Sequence, residues 1–209
     1  RSPERSGVQE QTMILEGIVT TLNDDGTANI SPMGPLIGSD MSNFVLRPYR
    51  TSRTYANLKR CREGVLHVID NVELLARAAI GKLEEVPEML ECTAVDGVIL
   101  ADACRWYAFQ VSSLYDDTDR TTIECQVVDQ GRLRDCFGFN RAKHAVVEAA
   151  ILATRIAFLP AHEIRAEFDR LAVIVDKTAG DQERRAFQLL TQYVTDSLGP
   201  PQRAELPGS

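Results

Sequence analysis

The feature that most constrains this chain is a change in the spacing of its apolar residues near Asn140. Before that position, apolar residues come in short runs rich in β-branched side chains, separated by turn sequences such as Asn23-Asp-Asp-Gly26. After it, apolar residues recur every three or four positions, as on one face of a helix. The pattern therefore predicts a strand-rich front part and a helical back part.

The front part contains six or seven candidate strands joined by hairpin signals. They cover residues 14–21, 27–30, 44–47, 65–70, 98–101, 106–114 and 121–129. Two short helices are expected between them, one over residues 54–62 capped by Thr51 or Ser52, and one from Asn71 to about Ile80. Many short strands with hairpin turns are typical of a small antiparallel barrel.

The back part predicts three helices, beginning near Asn140, Pro160 and Asp181. Their apolar stripes are narrow and need a partner surface, which is either the other helices or the barrel. The predicted class is therefore α+β, mainly β, with a barrel domain over residues 13–138 and a helical region over 139–199 packed on or beside it. Residues 1–12 and 200–209 are polar and are expected to be disordered tails.

Composition excludes several classes of protein. With 44% hydrophobic residues among 209, the chain can form a core without disulfides or metals. Its net charge of -7 argues against a nucleic-acid partner. No apolar run approaches the roughly 18 to 20 residues of a membrane span, and the five cysteines lack paired spacing, which indicates reduced thiols, no metal site and a cytoplasmic location.

The segment from Arg47 to Asn57 has the residue types of an anion site. Arginines and hydroxyl side chains are interleaved where a strand end is predicted to enter a helix; they are Arg47, Arg50, Thr51, Ser52, Arg53 and Thr54. A helix start offers unpaired amides, and arginine offers forked donors that match phosphate oxygens. A solvated basic loop with an ordinary capping hydroxyl is equally typical of this pattern.

Two further segments have the residue types of binding elements. Ile30-Ser-Pro-Met-Gly34 predicts a stiff strand exit that would suit the edge of a planar ligand, although any strand exit can look like this. Asn140-Arg-Ala-Lys-His144 gathers cations at a predicted helix start. Asn140, Arg141 and Lys143 are therefore candidates for a second anion site, against the alternative of a capped surface helix with exposed charges.

Two single residues are candidate reactive groups. His67 alternates with Val65 and Ile69, which favours a hydrogen-bonded barrel residue over a catalytic base. Cys61 lies among basic residues that in principle lower a thiol pKa, but a free cysteine is more often a small hydrophobe.

Five short motifs, taken in their order along the chain, resemble those of the FMN-binding split-barrel flavoproteins. The motifs are Glu16-Gly-Ile-Val-Thr-Thr, Asp25-Gly26, Ile30-Ser-Pro-Met-Gly34, Arg47-Pro-Tyr49 and Thr54-Tyr-Ala-Asn-Leu58. With Phe139-Asn-Arg-Ala-Lys-His-Ala-Val-Val-Glu-Ala149 included, the chain resembles more narrowly an uncharacterised family of such proteins in archaea and some bacteria.

The resemblance implies FMN as cofactor, bound at the interface of a homodimer. It implies that Ser31, Pro32, Met33 and Gly34 lie beside the flavin ring, that Arg47, Thr51, Ser52, Thr54 and Asn57 contact phosphate or ribityl, and that Tyr49 belongs to the cofactor site. The implied function is an FMN-dependent oxidoreductase or flavin reductase-like protein with a small-molecule electron donor or acceptor and no assigned catalytic residue. The alternative is a non-enzymatic FMN- or pterin-binding dimeric module whose helical tail recruits a partner.

Overall fold

The computed structural model describes residues 13–199, so both predicted tails lie outside the described residues. The chain divides into two compact units. Among the described residues, the barrel unit comprises 13–69 and Pro87–Asp135, and the helical unit comprises Asp70–Val86 and 136–199. The segment 70–86, which the sequence places within the barrel domain, thus belongs by its packing to the helical unit.

Ten strands and one helix build the described part of the barrel unit. They are β1 Met13–Ile14, β2 Gly17–Leu22, β3 Ala28–Met33, β4 Leu36–Ile37, β5 Asn43–Leu46, α1 Arg53–Cys61, β6 Glu63–Val68, β7 Met89–Cys92, β8 Gly97–Leu100, β9 Arg105–Tyr115 and β10 Thr122–Arg132. Eight strands form one antiparallel sheet in the order β1-β4-β5-β10-β9-β6-β2-β3, and β7 pairs with β8.

The large sheet closes on itself because two of its segments are bent. β1 and β2 are successive parts of one segment, β3 and β4 are parts of the next, and the two segments pair along both parts, as Ile14 with Leu36 and Gly17 with Met33. Gly34 lies at the second bend, where an added Cβ would stand 2.8 Å from Cγ2 of Ile14. The absence of a side chain at Gly34 therefore permits this close approach.

The inward-facing residues of the barrel form one apolar core. Phe44 and Phe109 meet edge to face with their ring centroids 5.1 Å apart, and Leu46, Leu66 and Ile123 are fully buried in the same cluster. Alternate residues of each strand supply this core because successive side chains of a strand point to opposite faces. The predicted antiparallel barrel is confirmed.

Strand β3 extends further than predicted. The sequence predicts that the second strand ends at Ile30, whereas β3 continues through Pro32, which pairs with Ile18, to Met33. Proline is tolerated here because β3 is an edge strand with a single neighbour, so the missing N–H removes no bond from an interior ladder.

The helical unit contains four helices among the described residues. They are α2 Val72–Ala79, α3 Arg141–Ala153, α4 Ala161–Thr178 and α5 Asp181–Leu198. The three predicted C-terminal helices are confirmed, and α2 packs against α3 and α5. Ile164 and Leu190 are fully buried, so the narrow stripes find partners within the unit. Over residues 13–199, no helix has the length and apolarity needed to cross a membrane.

Candidate functional site

The basic segment, defined as residues 47–53, links β5 to α1 through a tight turn. Tyr49 forms an isolated antiparallel bridge with Arg120, and the N–H of Ser52 donates to the carbonyl of Tyr49 at 2.9 Å. Ser52 then caps α1, its Oγ accepting from the N–H of Tyr55 at 3.2 Å. The N-cap predicted at Thr51 or Ser52 is therefore Ser52.

The hairpin between β9 and β10 holds the backbone of the basic segment in place. Thr121 donates to the carbonyl of Pro48 through both its N–H, at 3.0 Å, and its hydroxyl, at 2.8 Å. The N–H of Arg50 donates to the carbonyl of Asp119 at 2.9 Å. Because these bonds use backbone groups of the segment, its arginine side chains stay available for other partners.

Hydrogen-bond donors are concentrated in this segment. Arg47, Arg50 and Arg53 are exposed, and within residues 13–199 none of them has an ion pair. The N–H groups of Arg53 and Thr54, at the start of α1, make no hydrogen bond to any residue that the structure describes. The segment therefore carries three guanidinium groups and two unpaired helix-start amides, which are donors of the kind that bind phosphate.

Thr54 and Asn57, predicted to contact phosphate or ribityl, instead anchor α1 to the barrel. The amide nitrogen of Asn57 donates to Oγ1 of Thr21 at 3.0 Å and to Oδ1 of Asn23 at 2.9 Å, which uses both of its hydrogens. Oγ1 of Thr54 accepts from the side chain of Asn29 at 3.1 Å, and both Thr54 and Asn57 are buried. These groups are engaged inside the barrel unit, and their contact with phosphate or ribityl stays a prediction.

The strand residues predicted to lie beside a flavin ring are half-buried along the end of β3. Ser31 is two residues from Asn29, so both side chains point to the same face of the strand. Since Asn29 bonds to Thr54 of α1, this face of β3 is the one beside the start of α1. The structure thus brings Ser31 and the basic segment to one side of the barrel. Met33 packs on the apolar core.

The second predicted anion site is not formed as expected. Asn140 caps α3, its Oδ1 accepting from the N–H of Lys143 at 3.1 Å. The ammonium of Lys143 pairs with Oε1 of Glu183 at 2.7 Å and donates to Oε1 of Gln182 and to the carbonyl of Asp70. Its charge is already compensated inside the helical unit, so the assignment of Lys143 to an anion site is corrected.

Two residues lie near the basic segment although the sequence analysis did not predict them there. Oδ2 of Asp116 accepts from the hydroxyl of Tyr55 at 2.6 Å and from Nζ of Lys59 at 2.8 Å, and these bonds lower the pKa of Asp116 to about 2. Arg120 donates from Nε to the carbonyl of Arg47 at 3.2 Å. Both residues lie in the polar hairpin loop between β9 and β10, more than 55 positions after the residues that they contact. No local motif therefore predicts these contacts.

His67 is a buried structural residue, as predicted. The N–H of Leu100 donates to Nε2 at 3.1 Å, so Nδ1 carries the proton and donates to the carbonyl of Ile18 at 3.1 Å. Burial lowers the pKa of His67 to about 4. Both ring nitrogens are occupied, which leaves His67 no part in proton transfer to a ligand.

The closed, bent-strand sheet defines a split β-barrel protein. The sequence matches two consecutive parts of one family: residues 15–134 match "Protein of unknown function (DUF447) N-terminal domain", and residues 140–192 match "Protein of unknown function (DUF447)". The chain belongs to the DUF447 family. The resemblance to an uncharacterised family of split-barrel proteins is confirmed.

Several solved structures are similar to this chain. The FMN-bound protein MM1853 from Methanosarcina mazei, itself a DUF447 protein, is 20% identical with a TM-score of 0.75, over 91% of this chain and all of that one, which shows that the two share a fold. An FMN-binding protein from Thermus thermophilus is 14% identical with a TM-score of 0.49, over 64% of this chain and 78% of that chain. The styrene monooxygenase flavin reductase of Pseudomonas putida S12 is 12% identical with a TM-score of 0.47, over 58% and 82%. No curated protein matches the sequence.

Proposed function

We propose that this chain is an FMN-binding flavoprotein whose basic segment holds the phosphate of the cofactor. The observation that carries the proposal is the set of three exposed arginines without ion pairs in residues 13–199, beside the free N–H groups of Arg53 and Thr54. An FMN phosphate is a dianion that such donors suit. The FMN-bound state of the DUF447 protein MM1853, which has the same fold, supports the choice of ligand.

Within this proposal each part of the site has a separate task. Arg47, Arg50 and Arg53 neutralise the phosphate, and the hydroxyls of Thr51 and Ser52 donate to its oxygens. Ser31, on the face of β3 beside α1, borders the ring together with the backbone of Pro32, Met33 and Gly34, and these residues orient the ring. FMN, when bound, supplies the electron-transfer chemistry.

The proposed activity is that of an FMN-dependent oxidoreductase, with a nicotinamide or another organic molecule as electron donor. The support is the chemistry of the cofactor, since flavins exchange electrons with such donors. Anaerobic mixing of the FMN-loaded protein with NADH or NADPH should bleach the flavin absorbance. The proposed activity fails if none of the donors reduces the bound flavin faster than it reduces free FMN. The donors are NADH, NADPH and organic mediators reduced beforehand with dithionite. A binding role then replaces the proposed activity.

We further propose a homodimer with FMN at the interface. Ile14, Leu36 and Val45 lie side by side across β1, β4 and β5, on the face opposite to the core residues Ile37 and Phe44. Ile14 is 60% exposed, and an apolar row of this kind on an outer sheet face suits a second copy of the chain. Light scattering should give twice the chain mass of 23.2 kDa, whereas a monomer that binds FMN would refute this part alone.

The test of cofactor binding is a titration of the purified full chain with FMN. We expect a complex with the visible absorbance of bound flavin, released on denaturation. Arg47→Ala should weaken FMN affinity by roughly ten- to a hundredfold, since a charge-assisted hydrogen bond contributes about 1.5–3 kcal/mol. Arg132→Ala removes an exposed arginine of β10 that pairs with Asp135 and should leave FMN affinity unchanged. A colourless protein that also fails to bind added FMN would refute the proposal.

A further inference from the structure

Arg120 presents its guanidinium to the basic segment from a different part of the chain. It precedes β10, and its backbone bridges to Tyr49. Its Nε donates to the carbonyl of Arg47 at 3.2 Å. Through these two contacts, a residue 73 positions away from Arg47 in sequence is fixed beside the segment that carries the other three arginines.

The ring of Tyr49 supports this guanidinium. The central carbon of the guanidinium lies 5.2 Å from the centroid of the Tyr49 ring, within the range of a cation–π contact. Tyr49 itself is 54% exposed, so the pair forms a surface feature of the barrel unit and contributes nothing to its core. A stacked, singly bonded guanidinium is pre-organised, which reduces the rotamer entropy lost when it binds a ligand.

The two terminal nitrogens of Arg120 remain available. Across residues 13–199, Nη1 and Nη2 make no hydrogen bond, and Arg120 makes no ion pair. This holds although three aspartates share its loop. Asp116 is engaged by Lys59 and Tyr55, and the exposed Asp117 and Asp119 are not ion-paired to Arg120. The fork of Arg120 therefore keeps four N–H donors for an external anion.

We propose that Arg120 is a further ligand-binding residue, which contacts the phosphate of the bound flavin and makes the site select a phosphorylated flavin over riboflavin. The inference rests on the proposed FMN site. Riboflavin has the same ring and ribityl chain but no phosphate. A residue that binds only the phosphate therefore changes FMN affinity and leaves riboflavin affinity alone, whereas a residue that merely maintains the fold changes both.

The experiment compares FMN and riboflavin titrations of the full chain and its variants. Arg120→Ala should weaken FMN binding about tenfold or more and shift riboflavin binding by less than about twofold. Arg120→Gln, which lacks the charge but can still donate to the carbonyl of Arg47, should show the same selective loss and keeps the test valid if the alanine variant unfolds. Tyr49→Leu should show a smaller selective loss, because the guanidinium loses its support. Arg132→Ala serves as the control for removal of one exposed positive charge.

The outcomes separate this inference from the proposed function. Suppose that the unmodified chain binds FMN. If Arg120→Gln then loses affinity for FMN and riboflavin in parallel, or loses affinity for neither, Arg120 does not bind the phosphate. The FMN proposal stands in both cases. If the unmodified chain binds no FMN, the proposed function fails. The inference, which concerns the phosphate of bound flavin, then fails with it.

Discussion

Two helix starts in this molecule have similar residue types, but the cations at one of them are without an ion pair and a lysine at the other is paired inside the protein. Both α1 and α3 are capped by a polar side chain, Ser52 and Asn140, and both place an arginine at their first position with no acidic residue in the first turn. At α1 the neighbouring elements offer carbonyls and hydroxyls. Within residues 13–199 no arginine of the basic segment forms an ion pair, although Arg53 and Arg50 interact electrostatically at longer range with Asp25 and Asp116. At α3 the neighbouring helix α5 supplies the carboxylate of Glu183.

The comparison shows that residue types at a helix start do not decide whether its cations remain without an ion pair. What decides is whether the fold brings an internal carboxylate to the cation. Glu183 is only 8% exposed and Lys143 only 17%, so the pair at α3 is a buried structural interaction. The basic segment before α1 is left with surplus positive charge even though the whole chain carries -7.

The largest effect should come from breaking the internal pair at α3. Lys143→Met leaves Glu183 buried without its partner and should destabilise the protein by about 3–5 kcal/mol, measured by urea unfolding. Since Glu183 also accepts a hydrogen bond from the N–H of Gly180 at 2.9 Å, the double variant Lys143→Met, Glu183→Gln keeps an acceptor for Gly180 and should recover much of the loss. A loss below about 1 kcal/mol for the single variant would show that the pair is solvated.

His67 extends the comparison to a basic group that has no counter-ion among residues 13–199. Its pKa is about 4 in the folded protein and close to 6.5 in an unfolded chain, so the unfolded state binds the proton more readily. Stability is therefore full above pH 6.5 and falls as the pH drops towards 4, by about 3 kcal/mol in total from this residue.

The measurement is urea unfolding between pH 7 and pH 4, compared with His67→Gln. The glutamine variant is less stable at neutral pH, because one of the bonds to Ile18 and Leu100 is strained or lost, but its stability should decline less steeply through this pH range. Parallel pH profiles for the two proteins would contradict the assignment of a neutral, doubly bonded imidazole.

Local sequence predicted those parts of the fold that depend on neighbours along the chain. The capping roles of Ser52, Asn71 and Asn140 follow from short-range hydrogen bonds, and each is confirmed. Their physical basis lies within three residues, which a pattern of residue types contains.

The missed features depend on long-range contacts that no spacing encodes. Asn57 had the type of a ligand-binding amide, and only the position of the β2–β3 hairpin showed that Thr21 and Asn23 take both of its hydrogens. β7 was missed because Met89–Cys92 is short and lacks a β-branched run. Helix α2 was predicted, but its membership of the helical unit follows from packing against α3 and α5.

The first helical arginines offer a matched test of the comparison itself. Arg53 and Arg141 occupy equivalent positions, directly after the N-cap, and both are exposed. Arg53→Ala should weaken FMN binding by about tenfold, the effect of losing one charge-assisted contact, while Arg141→Ala should change it by less than about twofold, within ordinary surface effects. Equal losses in FMN titrations would mean that overall charge, and not the basic segment, governs affinity.

The smallest expected differences concern the two caps. Ser52→Ala should cost about 1 kcal/mol of stability in urea unfolding, and Ser52→Asp should cost less because a carboxylate also accepts from the N–H of Tyr55. Asn140 makes a second bond, from Nδ2 to the carbonyl of Thr178 at 3.2 Å. Asn140→Ala should therefore lower the stability more than Ser52→Ala does. Asn140→Asp keeps the cap and loses only the bond to Thr178, so its loss of stability should equal the difference between the two alanine variants. If Asn140→Asp is as stable as the unmodified chain, the bond to Thr178 contributes nothing and the two caps are energetically alike. In that case only Glu183 distinguishes the two helix starts.

The same cap variants have a different order of effects on FMN affinity. Ser52→Asp places a negative charge in the basic segment and should weaken FMN binding more than Ser52→Ala does. Neither change at Asn140 should affect FMN binding.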